Sequence, residues 1–90
     1  MDIKAQIEKK ELPFSVSKAQ LVDMYITQMS REMICDNANE IIYDNRKKMK
    51  KFTGLSRQII IRTHFLTHVE FVEFIDVFGT PKGYYKPDNF

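Results

Sequence analysis

The chain has 90 residues, 14 basic and 12 acidic, for a net charge of +2, with 43% hydrophobic and 29% charged residues. These figures describe one soluble globular domain and exclude a disordered chain, and the net charge alone is too small to argue for nucleic acid. Cys35 is the one cysteine, so no internal disulfide forms; no apolar run approaches a membrane span, and the charged N-terminus lacks a secretion signal, so the expected location is the cytoplasm, away from membranes.

The charges are unevenly placed. Residues 1–45 carry five basic and eight acidic side chains, whereas residues 46–67 carry seven basic and none acidic. That asymmetry predicts a local positive patch on a nearly neutral body.

In chain order, residues 1–16 read as an N-terminal arm. Ile3, Ile7 and Leu12 give it one apolar edge of a helical turn or two, and Pro13 ends it. Ser17 and Gln20 have the spacing of a capping box, with Val16 and Leu21 as a hydrophobic staple. A long helix is expected from there to about residue 40, with Val22, Ile26, Met29 and Met33 recurring at helical spacing. These four are the candidate partner-binding residues, either a homodimer seam or a groove for a host protein; the plainer alternative is a core stripe. A break is expected near Tyr43, the alternatives being one continuous helix or a short extended link.

Residues 44–66 carry the pattern of a helix-turn-helix. Met49 and Phe52 share a face in a basic helix from Arg46 to Phe52, and Gly54 sits where a helix ends in a left-handed residue. Ser56 is an N-cap, and Leu55 with Ile60 has staple spacing. Ile59, Ile60 and Thr63 are expected to face inward, leaving Arg57, Gln58, Ile61 and Arg62 outside. Arginine and glutamine at the start of such a helix suit guanine and adenine edges, and Arg46, Lys47, Lys48, Lys50 and Lys51 suit phosphate.

In V-E-F-V-E-F-I-D-V-F, Glu70, Glu73 and Asp76 share one helical face and Phe71, Phe74, Ile75 and Phe78 the other. A helix over about 68–76 is predicted, capped by Thr67 and Glu70. The rival is a strand over 74–78 pairing with 84–86. Gly79-Thr80-Pro81-Lys82-Gly83 is a turn; Lys82 and Tyr84 contact phosphate if it acts as a wing. The fold class expected is therefore mainly α: a small helical domain with a helix-turn-helix and a short C-terminal turn or wing.

The segment T-G-L-S-R-Q-I-I-I-R resembles the T-G-[LV]-S-x-x-T-[LIV]-x-R core of winged helix-turn-helix proteins of the excisionase and MerR group, including small phage proteins. The resemblance covers Asn45 to Phe90. It implies a double-stranded DNA partner bound with sequence specificity, and a phage or mobile-element regulator or excision accessory factor. The nucleic-acid-binding residues would be Arg46, Lys47, Lys48, Lys51, Ser56, Arg57, Gln58, Ile61, Arg62, Lys82 and Tyr84. The alternative function is a small inhibitor or adaptor that grips a host protein.

No catalytic constellation is evident, so no enzyme and no cofactor are expected. His64 and His68 are spaced i, i+4, but the expected helix boundary at Thr67 separates them, so no metal site is expected either. Cys35 is expected to be buried and inert.

Overall fold

Pairing between distant short strands closes the chain. The computed structural model describes residues 9–90. Strand β1 (Lys10–Glu11) lies parallel to β4 (Tyr84–Tyr85), and β2 (Val16–Ser17) lies antiparallel to β3 (Phe65–Leu66), with Val16 opposite Leu66. Four helices lie between: α1 (Lys18–Tyr25), α2 (Arg31–Arg46), α3 (Arg57–Ile60) and α4 (His68–Phe78). The domain is mainly α, as expected.

Each strand of the antiparallel pair runs straight into a helix cap. The Ser17 hydroxyl accepts from the Gln20 amide at 3.0 Å, while the Gln20 side chain accepts from the Ser17 amide at 2.8 Å. Thr67 and Glu70 repeat the arrangement at the start of α4. Each reciprocal pair satisfies two amides that a helix start otherwise leaves open. Val16 and Leu66 are buried beside these caps, so strand pairing and helix initiation reinforce each other.

The long helix expected over 17–40 is two helices. α1 stops at Tyr25, whose carbonyl accepts from both the Gln28 and Met29 amides. Ser30 then caps α2 through the Met33 amide at 3.1 Å. Serine competes for backbone hydrogen bonds inside a helix and is favoured at its start, so Ser30 begins a new helix in a new direction. The expected break near Tyr43 is absent, since α2 runs on to Arg46. Ile34, Ala38 and Ile42 recur every four residues, all fully buried, and carry the helix past Tyr43. Asn45 donates to Glu73 at 2.8 Å, which also ties the end of α2 to α4.

The core joins α1, α2 and α4. Leu21, Val22, Met24 and Tyr25 meet Phe71, Phe74 and Ile75, with Tyr25 and Phe74 edge-on at 5.0 Å between centroids. The rival strand over 74–78 does not form. Glu70 departs from expectation, because it is buried rather than on the outer face with Glu73 and Asp76. The N-terminal segment differs too. Its expected helical edge is a strand at Lys10–Glu11, and Leu12 is buried; Ile3 and Ile7 lie outside the described residues.

Tyr25 donates its hydroxyl to the Gly79 carbonyl. Burial pushes its pKa up to about 12. The fold therefore holds the protonated phenol, and the stability this contributes is full below the unfolded pKa near 10 and is lost as pH rises toward about 12. An alkaline titration of the unfolding midpoint should show that decline in the native protein. Tyr25→Phe should be less stable by ~1 kcal/mol near neutrality and should lack the decline; equal slopes in the two proteins would rule the assignment out.

Candidate nucleic-acid interface

The basic segment after α2 is mostly loop. The helix expected over Arg46–Phe52 is a single 3-10 turn at Lys50–Phe52. Four lysines in five positions repel one another on a helix, and of residues 47–52 Phe52 alone is half-buried, so little packing opposes the repulsion. Gly54 turns the chain at φ 80°, a left-handed conformation that suits glycine. Ser56 caps α3 through the Ile59 amide at 3.4 Å.

α3 is one turn long, about 6 Å. Three consecutive β-branched isoleucines weaken the helix, and the Lys18 ammonium captures the Ile61 carbonyl at 2.7 Å and ends it. Partial burial lowers the Lys18 pKa, an effect that Cys35 opposes and Arg46 adds to. Ile60 alone of the three is buried. Ile59 is 50% exposed rather than inward, Leu55 is exposed, and Ile61 is half-buried rather than outside. The expected helix-turn-helix of residues 44–66 is thus a lysine-rich loop closed by one helical turn.

Arg46 is not available to phosphate. Its guanidinium makes a two-pronged pair with Glu70, both bonds 2.9 Å, and donates to the Phe65 carbonyl at 3.0 Å. Glu70 is buried, its side chain at 1% exposure, Arg46 is largely so at 13%, and the pair fastens α2 to the β3–α4 junction. Arg57 folds back onto α2, where it donates to Glu40 and lies 5.7 Å from the Tyr43 ring centroid. Lys47 pairs with Asp44 at 3.1 Å and approaches the same ring at 5.0 Å. Lys48, Lys50, Lys51 and Arg62 are exposed and make no ion pair among the described residues. Gln58 is exposed beside them, and Ser56 serves as a cap.

Lys82 and Tyr84 lie elsewhere. The Lys82 amide donates to Gln28 at 3.1 Å, which places the Gly79–Gly83 turn beside the α1–α2 link. That is the opposite end of α2 from the lysine loop, about 24 Å along a helix of 16 residues. Tyr84 is half-buried on β4. The turn does not flank the basic segment as a wing would.

Among the candidate partner residues, Val22 is buried and Met29 half-buried, because both serve the core. Ile26 and Met33 stand 47% and 49% exposed at the α1–α2 corner. Sequence reasoning passed over Arg31 and Glu32, which are exposed on the first turn of α2. The signal for them was Ser30, a short polar residue inside an otherwise helical pattern. His64 precedes β3 and His68 opens α4, so the two do not share a helix. Both ring nitrogens of His68 meet backbone oxygens at 2.7 Å, those of Phe14 and Phe90. Cys35 is half-buried rather than buried. No helix among the described residues is long and apolar enough to cross a membrane. Comparison with known protein families, characterised proteins and solved structures finds no match to this chain.

Proposed function

We propose that the protein is a small, non-catalytic double-stranded DNA-binding protein of the cytoplasm, which holds the duplex mainly through the lysine loop between α2 and β3. The observation that carries this reading is the set of Lys48, Lys50, Lys51 and Arg62, four exposed cations on one short excursion with no carboxylate partner among the described residues. Such a set attracts phosphate whatever the base sequence. The corner that presents a helix to the duplex moves in this reading from Gly54 to the α1–α2 link, about 24 Å along α2 from the lysine loop, so the duplex runs along α2 to meet both. Two helices joined by a short turn, the second beginning at a serine cap, have the layout in which the second helix meets base edges with its first turn. Arg31 and Glu32 occupy that turn and suit guanine and cytosine. A regulator or excision factor of a phage or mobile element is the role proposed; it rests on the resemblance of residues 45–90, and the corner at the α1–α2 link lies outside that stretch.

Selection of bound DNA from a random duplex pool tests this. A defined motif is expected from the native protein. Arg31→Ala should blur it at one base step, a loss of ~1–3 kcal/mol of discrimination. Arg57→Ala should change affinity evenly across sequences, since its guanidinium is held on α2. Failure to bind any duplex at low salt would exclude the reading.

A second reading, a protein-binding adaptor, is favoured by one observation: Ile26 and Met33 are large, apolar and exposed at the same corner. A stoichiometric protein partner that survives nuclease treatment and is lost on Met33→Lys would support it.

A further inference from the structure

We infer that Glu40 and Asp44 hold two of the loop's cations in reserve, an internal contact that DNA must displace before the loop binds at full strength. This deepens the DNA-binding reading and rests on it. Glu40 and Asp44 are one turn apart on α2, both exposed. Glu40 accepts from the Arg57 guanidinium and Asp44 from the Lys47 ammonium at 3.1 Å. Tyr43 lies between them in sequence, and both cations approach its ring, Lys47 at 5.0 Å and Arg57 at 5.7 Å from the centroid.

The arrangement puts two carboxylates where phosphates would otherwise sit. Residues 47–62 carry six cations, and these two are the ones engaged by carboxylates. An oxyanion on α2 is a local stand-in for the DNA backbone, and it also pins α3 against α2. Exposed pairs of this kind are weak and open to exchange, so a duplex with its dense row of phosphates can replace both. In the native complex the two pairs compete with phosphate and the four exposed cations carry the binding; with both carboxylates removed, Arg57 and Lys47 join them.

Asp36 supplies an internal control. It lies one turn before Glu40, near the same face of α2, is exposed, and makes no ion pair among the described residues. Removing its charge changes the field of α2 without releasing a cation.

The test is a titration of fluorescent duplex with the native protein, Glu40→Gln, Asp44→Asn, the double variant and Asp36→Asn across a salt series. The double variant should bind roughly tenfold tighter, with the slope of log K against log salt steepening from about −3.6 to about −5.4 as six phosphates replace four. Asp36→Asn should change affinity by less than about twofold, since Asp36 holds no cation among the described residues and stands one turn further from the loop than Glu40. A gain from Asp36→Asn equal to that from Glu40→Gln would overturn the inference, because bulk charge would then explain it. So would a double variant no tighter than the native protein. If no variant binds duplex, the DNA-binding reading itself fails, and this inference with it. The contact is checked separately in the free protein by NMR. Glu40→Gln should move the Tyr43 ring and Arg57 side-chain signals and Asp36→Asn should not; no movement with Glu40→Gln would overturn the contact.

Discussion

Glu70→Ala is expected to lower the unfolding free energy by about 3–5 kcal/mol, because it strands the Arg46 guanidinium in a largely buried site. A chain of 90 residues has roughly 5–13 kcal/mol of stability in all, so this one substitution brings the protein close to unfolding. The cost has two parts. Glu70 neutralises Arg46, and it also closes the cap of α4 by accepting from the Thr67 amide at 2.9 Å. Glu70→Gln keeps an oxygen for the cap but removes the charge, so it should fall between the native protein and the alanine variant. Replacing both partners, Arg46→Met with Glu70→Leu, removes the stranded charge. That pair should recover most of the loss, short of about 1 kcal/mol for the cap. Urea denaturation reads all three. A loss below ~1 kcal/mol for Glu70→Ala would show that the pair is solvated and that α2 is not fastened to α4 in this way.

The salt dependence of duplex binding should be steep, and it should collapse when the loop is neutralised. Four phosphate contacts give a slope of about −3.6, or roughly a 150-fold loss of affinity between 50 and 200 mM salt. Substituting Lys48, Lys50 and Lys51 together by alanine leaves Arg62, a slope of about −0.9 and only a three- to fourfold loss over the same range. The three lysines are exposed and make no ion pair among the described residues, and Lys51 approaches the Phe52 ring at 5.4 Å, so the melting temperature should fall little. An unchanged slope in the triple variant would move the interface away from the loop, and the protein-binding reading at Ile26 and Met33 would then lead.

The two predictions separate what local chemistry fixes from what packing fixes. Both capping boxes were legible as residue types at set spacing, Ser17 with Gln20 and Thr67 with Glu70. The helix after Thr67 was legible from its phenylalanine period, and Gly54 as a turn from its position alone. These are interactions within a few residues, and the chain makes them wherever it goes. The lysines of residues 47–51 were also visible as a positive patch, since charge needs no fold to be counted.

What the sequence did not disclose depended on contacts between residues far apart. Periodicity ran past Ser30, because a cap inside an amphipathic pattern looks like a tolerated serine until its hydroxyl is seen accepting from the Met33 amide. Glu70 shared a helical face with Glu73 and Asp76 and was assigned to water with them; only the approach of Arg46, 24 residues away, makes its burial tolerable. Arg57 was read as an outward base contact, yet Glu40 lies within its reach once α3 folds onto α2. The residue types by themselves therefore determined a mainly helical domain with two capped helix starts and one basic stretch. Lys47 with Asp44 is a local pair three residues apart, but tertiary structure alone decided that Arg46 and Arg57 are engaged by Glu70 and Glu40, because those salt bridges are set by where two helices end up and not by the spacing within either.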